Sequence, residues 1–337
     1  MKATASLLAE LGRALGDLLL APPRLAGQFL SRRRRQREFQ ALAFDPPPGP
    51  VSSSPSAGRL RRVLLSCGDA SGEIHALRLL HALQRRHPGI EVAGFGGRRL
   101  EQAGMRVWQP LADLNVMGFA DVVAELPLFL GCVRRFAREL ESRPPDAVVL
   151  VDYPGLNRSL LRLAARRTIP VVDFIAPQLW AWAPWRVRDF RRADRLLTVL
   201  PFEGAWYRAR GARPLYLGHP LGDTLADPPE EAAPPPMAED AWWVGILPGS
   251  RRREVEHNLP GILQAAALLQ QQHPRVRFVL PHLRTDLWPR LEYHLGRSPV
   301  EVVRARGCFH TVLPRLRSAW VASGTALLET AAHGVPP

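Results

Sequence analysis

The apolar positions of this chain follow two different rhythms. Near the N-terminus Leu7, Leu8, Leu11, Leu15, Leu18 and Leu19 recur at helical spacing, which predicts an amphipathic helix. From residue 62 onward, short β-branched runs alternate with longer helical stretches. Strands are predicted at 62–66, 91–95, 147–151, 171–175, 196–200 and 214–217, with helices over 73–87, 120–143 and 157–167. A second series follows at 242–247, 276–281, 300–303 and 319–322, again with helices between the strands. Such alternation predicts parallel sheets covered on both faces. The expected fold class is α/β, with two Rossmann-like domains facing each other across a cleft and the second one unfinished at its C-terminal end.

Punctuation residues set the boundaries. Pro, Ser and Gly from 46 to 58 read as a flexible linker, and 227–241, rich in Pro, Ala and acids, reads as an interdomain connection. The expected organisation is a basic extension over 1–58, a first domain over 59–225, a linker over 226–241 and a second domain over 242–337. With 46% hydrophobic and 23% charged residues, 337 positions suffice for two ordinary cores. No run of about 18 uncharged apolar residues occurs, so no transmembrane helix is expected. Cys67, Cys132 and Cys308 are odd in number and far apart. That argues against a disulfide framework or zinc site and for a reduced, cytosolic setting. The ten histidines show neither an HExxH spacing nor paired ligands, so no metal and no cofactor are expected.

A formal charge of +14 fits nucleic acid, an anionic membrane or a phosphorylated substrate, and charge alone does not choose among them. Lys is nearly absent, so part of the excess is a compositional preference for Arg. The run Arg32-Arg33-Arg34-Arg35 beyond the apolar helix suits anionic lipid headgroups; a solvated tail is the equal alternative. Glu10, Asp17 and Glu38 count against a transit peptide.

In open α/β sheets ligands bind beyond the carboxyl ends of strands, and that rule selects the candidates. The first strand ends in Ser66-Cys67-Gly68-Asp69-Ala70-Ser71-Gly72-Glu73. Its glycines allow a tight turn, its amides can approach a ligand, and its carboxylates can accept from sugar hydroxyls. The plainer reading is a strand–helix turn with Ser71 as the helix cap. Asp152 directly follows the apolar run 147–151 and precedes Tyr153-Pro154 and Asn157. A carboxylate there suits a general base, or else caps the next helix. Trp180, Trp182 and Trp185 lie within six residues, broken by prolines; they suit sugar stacking, a membrane interface or core packing. In the second series Leu247-Pro248-Gly249-Ser250-Arg251 exposes amides at a helix start, and Arg251 can pair with a diphosphate. Ala322-Ser323-Gly324-Thr325, with Glu329 one turn later, forms a second phosphate-type turn whose carboxylate can hold ribose hydroxyls. His219, in Gly218-His219-Pro220, marks a domain edge, as a hinge or a catalytic group.

Taken together these residues resemble the lipid-A-disaccharide synthase family. The resemblance runs from about Arg62 to the chain end. It rests on 68–73, Phe95-Gly96-Gly97, Val116-Met117-Gly118, Asp152-Tyr153-Pro154 with Asn157, 175–182, Leu200-Pro201-Phe202-Glu203, Gly218-His219-Pro220, 247–251 with Glu254-Val255, and 322–329. It implies a GT-B type transferase that moves 2,3-diacylglucosamine from its UDP donor to 2,3-diacylglucosamine 1-phosphate. Asp152 matches the family's proposed base, and Arg251 an arginine needed for activity. Ser323, Gly324, Thr325 and Glu329 match its UDP-binding turn, to which Gly249 and Ser250 are added as donor-site residues. Gly68, Asp69, Ser71, Gly72, Glu73, Asn157, Trp180 and Trp182 are assigned to the acceptor sugar. Met117, Leu126, Leu128, Phe129, Leu130 and Val133 match the region that meets the membrane and acyl chains. Peripheral attachment to the cytoplasmic face of the inner membrane follows, with no nucleic-acid partner.

Departures from the family pattern are specific. Asp69 and Glu73 exchange the family's two acids, Gly155 and Leu156 replace an Asp and a Phe, and the sequence ends at Gly334-Val335-Pro336-Pro337, where the family continues into further UDP-site residues and helices exchanged between dimer partners. A homodimer is expected if that segment exists. The rival readings are another GT-B UDP-sugar enzyme, such as a UDP-N-acetylglucosamine epimerase or a peptidoglycan-type transferase, and an inactive, truncated membrane-binding remnant.

Overall fold

Most strands form where the apolar runs predict them, because a parallel sheet covered on both faces buries most side chains of its central strands. The structure is a computed structural model; it describes residues 32–46, 58–114, 126–226 and 230–337, with 12, 13, 16, 23 and 27 of the N-terminal segment. The leucines before residue 20, Met117 and residues 120–125 lie outside the described residues. Two compact units divide the chain, Met1–Pro220 and Leu221–Pro337.

The first unit holds β1 (Arg62–Cys67), β2 (Glu91–Phe95), β3 (Arg106–Gln109), β4 (Ala147–Val151), β5 (Val171–Phe174), β6 (Arg195–Thr198) and β7 (Pro214–Tyr216). All pair in parallel, in the order β3-β2-β1-β4-β5-β6-β7. Its helices include α1 (Arg32–Gln40), α2 (Ala70–Arg86), α3 (Arg98–Gln102), α4 (Leu126–Ser142), α5 (Pro154–Ala165) and α6 (Glu203–Arg208). Side chains alternate across the strands. Leu64, Val148 and Leu150 pack with Phe136, Leu156 and Leu160 on one face, while Val63, Leu65, Val149 and Val151 pack with Ala76 and Leu80 on the other. Each such buried Leu or Phe contributes about 1.5–3 kcal/mol. β3 was not anticipated: Arg106-Val107-Trp108-Gln109 lies at the sheet edge, with one exposed and three half-buried residues, and is too short to show a period.

Part of the N-terminal extension is attached to this unit. Phe39 of α1 meets Trp180 and Phe202 edge-on, with ring centroids 5.6 and 5.8 Å away. Glu38 pairs with Arg210, Asp45 pairs with Arg208, and the Asp45 amide donates to the Pro201 carbonyl at 2.7 Å. Residues 38–45 are therefore docked and do not belong to a solvated tail.

The second unit holds β8 (Trp242–Leu247), β9 (Val276–His282), β10 (Val302–Arg306) and β11 (Ser318–Val321), parallel in the order β10-β9-β8-β11. Around them lie α7 (Arg252–Gln272), α8 (Trp288–Leu295) and α9 (Thr325–Ala332). The division after Pro220 places residues 221–226, a short helix, in this unit. Residues expected as a linker lie along it: Ala232 N donates to Gly307 O, Glu231 accepts from Thr311, and the Trp243 indole donates to Ala238 O. Half-buried His219 stands beside the division, its pKa lowered by burial.

In each sheet the winding direction reverses beside the first strand, between β1 and β4 and between β8 and β11. The crevice at such a switch point, outside the carboxyl ends, is where this architecture binds ligands.

Candidate active site

Asp152 emerges from β4 at the first switch point. It and Tyr153 are consecutive left-handed residues, each with φ of 47°, a conformation that costs a non-glycine residue roughly 1–2 kcal/mol. Asn157 holds it. Its fully buried Nδ2 donates to the carbonyls of Asp152 (2.7 Å), Val151 (3.3 Å) and Ser66 (3.4 Å), and its Oδ1 accepts from Ser66 Oγ at 2.7 Å. The cap position of α5 belongs to Tyr153, whose side chain makes no capping bond, so the helix-cap reading of Asp152 does not hold. The carboxyl is half-buried, and its pKa is pushed up to about 7, first by desolvation and then by Asp69. A base balanced near neutrality is what proton removal from a hydroxyl uses.

The β1–α2 turn lies alongside. Asp69, not Ser71, is the cap of α2; its Oδ1 accepts from Gly72 N at 2.6 Å and from the exposed Ser71 hydroxyl at 3.2 Å. Gly68 is required because a Cβ there would overlap the Tyr153 ring. Glu73 points inward instead: it is 4% exposed, and its Oε1 accepts from Arg99 N (3.1 Å) and Leu100 N (3.3 Å) at the start of α3. Glu73 and Asn157 therefore brace the site from inside, and neither is offered to a sugar. Asp69, Ser71 and Asp152 remain at the surface of the crevice.

Trp180 is also committed internally. Its indole donates to Glu203 Oε1 at 3.0 Å, and Glu203 Oε2 accepts from Val199 N and Leu200 N. Burial raises the Glu203 pKa against those bonds. Trp182, 39% exposed with Arg186 stacked 4.9 Å from its ring, keeps a face toward solvent. Of the residues assigned to acyl contact, Val133 is core. Leu128, Phe129 and Leu130 are half-buried, and Phe129 stacks 6.1 Å from Tyr153. Leu126 opens α4.

In the second unit the two phosphate-type turns leave adjacent strands, with Ala322 N donating to Leu247 O at 2.9 Å. A pocket lined by His257, Asn258, Trp320, Ala322 and Ser323 lies between the first half of α7 and the second turn. The turns differ. Glu254 Oε2 accepts from the amides of Ser250 (3.0 Å) and Arg251 (3.2 Å), and its Oε1 holds Arg251 Nη1 at 2.5 Å. The amides expected to be open at the start of α7 are thus already capped. Gly249, at φ 120°, leaves room for the Glu254 side chain. Ser323, Gly324 and Thr325 are exposed, and no side chain caps α9. Half-buried Glu329 has its pKa raised by desolvation and by Glu231.

Three further residues carry no sequence signal. His282 and Arg284, at the carboxyl end of β9, contact Gly249 O and Ser250 O. Asp173 on β5 is fully buried with neither carboxyl oxygen hydrogen-bonded, and its pKa is pushed well above the usual range by desolvation and by Asp152. Among the described residues no group of three or more His, Cys, Asp or Glu could hold a metal ion, and no helix is long and apolar enough to cross a membrane.

Residues 63–337 match the sequence model of the Lipid-A-disaccharide synthetase family. The chain belongs to the lipid-A-disaccharide synthase family. A relative named lipid-A-disaccharide synthase from Syntrophus aciditrophicus is 37% identical over 280 residues, covering 81% of this chain and 73% of its own. Solved structures share the two-sheet GT-B type fold at low identity. A putative UDP-N-acetylglucosamine 2-epimerase from Listeria monocytogenes gives a TM-score of 0.55 at 14% identity, over 83% of this chain and 78% of that one. The S. aureus MnaA-UDP co-structure gives 0.57 at 12%, over 82% and 78%. Lipid-A-disaccharide synthases are glycosyltransferases.

Proposed function

We propose that this glycosyltransferase of lipid A biosynthesis transfers 2,3-diacylglucosamine from its UDP donor to 2,3-diacylglucosamine 1-phosphate with inversion, releasing UDP. Asp152 is the base. Its carboxylate takes the proton from the acceptor hydroxyl as that oxygen attacks the donor's anomeric carbon and the bond to UDP breaks. Asp69 and Ser71 line the acceptor side, and Trp182 offers a ring face to the sugar. On the second unit the turn at Ser323, Gly324 and Thr325 receives the diphosphate on the open start of α9, with Arg251 at the neighbouring turn and Glu329 toward the ribose.

The observation that carries the reading is the Asp152 carboxyl itself, strained into place at a topological switch point with its proton affinity near neutral. We further propose a peripheral position on the cytoplasmic face of the inner membrane. The net charge of +14 and the half-buried Leu128, Phe129 and Leu130 on α4 support it. Purified protein incubated with both acylated sugars is expected to release UDP, and Asp152→Ala to abolish the release. Undiminished turnover in that variant would remove Asp152 from the mechanism.

A further inference from the structure

The end of β9 folds against the first phosphate-type turn. His282 is 7% exposed; its Nδ1 accepts from Arg284 N at 3.2 Å, so Nε2 carries the proton and donates to Gly249 O, also at 3.2 Å. The Arg284 side chain then returns across the turn. Nη1 donates to Ser250 O at 3.2 Å, while Nε and Nη2 hold the two oxygens of Asp286 at 3.0 and 2.7 Å. A guanidinium fork fixed to the turn backbone thus carries a carboxylate on its open edge.

We infer that Arg284 is a diphosphate-binding residue of the donor site, with Asp286 occupying its fork until a nucleotide arrives. The inference rests on the reading that the donor's diphosphate binds at these turns. The two arginines of this turn differ in what holds them. Arg251 is paired with Oε1 of Glu254, a carboxylate held in place by the Ser250 and Arg251 amides at its other oxygen. Arg284 is paired with a carboxylate that is 58% exposed. With the carboxylate exposed, water and salt compete for its side of the pair. The planar fork donates to two phosphate oxygens in the geometry in which it donates to a carboxylate, and a diphosphate brings more charge than Asp286. Exchange costs little, and the Ser250 carbonyl keeps the guanidinium at the turn throughout.

The test is calorimetric titration of the full chain with UDP, and ligand-observed NMR with uridine, which lacks phosphates. Arg284→Ala is expected to weaken UDP about tenfold to a hundredfold and leave uridine within about twofold. Asp286→Asn is expected to tighten UDP a few-fold, a change of opposite sign that a folding defect cannot mimic. If the parent binds UDP and Arg284→Ala binds it equally well, the inference is overturned while the donor-site reading stands. Should both variants weaken UDP and uridine alike, the pair only braces the turn, and the inference again fails. A parent that does not bind UDP overturns the donor-site reading itself.

Discussion

Replacing Asp152 by Asn should make the protein more stable at alkaline pH while removing its chemistry. The folded carboxyl has its pKa raised from 3.8 to about 7 by desolvation and then by Asp69. A shift of about three pKa units corresponds to ~4 kcal/mol, and for a half-buried group about 2–4 kcal/mol is the reasonable range. The sign follows from which state binds the proton more tightly. Below about pH 4 both folded and unfolded chains are protonated, and no penalty exists. Between about 4 and 7 the unfolded chain ionises while the folded site resists, so stability falls; above 7 the whole penalty is present. Asn carries no charge at any of these pH values and tolerates the left-handed backbone. Urea unfolding of parent and variant at pH 5 and 8, followed by tryptophan fluorescence, reads the difference. The variant should exceed the parent by about 2–4 kcal/mol at pH 8, by less at pH 5, and release no UDP. In the parent, kcat/KM should rise with pH through about 7. A variant whose stability runs parallel to the parent at both pH values would show that the carboxyl is not desolvated, and the argument for a tuned base would collapse.

Three smaller changes test the surroundings. Asp69→Asn keeps a good cap for α2 but removes the like charge beside the base, so the acid limb of kcat/KM should move below that of the parent in a pH–rate profile. Asn157→Ala removes the bonds that hold Ser66 and the Asp152 carbonyl and leaves buried polar groups unpaired. Denaturant midpoints should show a loss of about 2–4 kcal/mol, with kcat reduced because the left-handed turn is no longer held. Phe39→Ala should destabilise the first unit by about 1–3 kcal/mol in the same assay; no loss would mean that α1 does not hold its place against Trp180 and Phe202.

Much of the fold could be read from pattern because burial on both sheet faces forces an apolar run, as β1 and β4 illustrate. β3 escaped because an edge strand of four residues need not be apolar. Roles were harder to read than places. Glu73, Asn157 and Trp180 sit in motifs at the carboxyl ends of strands, where a polar group reads as offered to a ligand; each is spent on the protein's own backbone or side chains. Glu254 likewise consumes amides that the sequence suggested were open. His282 and Arg284 carry no motif, since they matter only through the neighbour that β9 acquires in the sheet.

The sequence by itself determined which segments other than β3 are strands, which turns join them to helices, and that an acid follows β4, because these depend on contacts a few residues apart and on burial that any parallel sheet imposes. Only the tertiary structure decided that β1 lies beside β4 and β8 beside β11, which puts separated turns at shared switch points. It also decided that Asp152 loses its water while Asp69 stands close enough to repel it. Strand order and desolvation are properties of distant segments meeting, and no local pattern along the chain encodes which of them will meet.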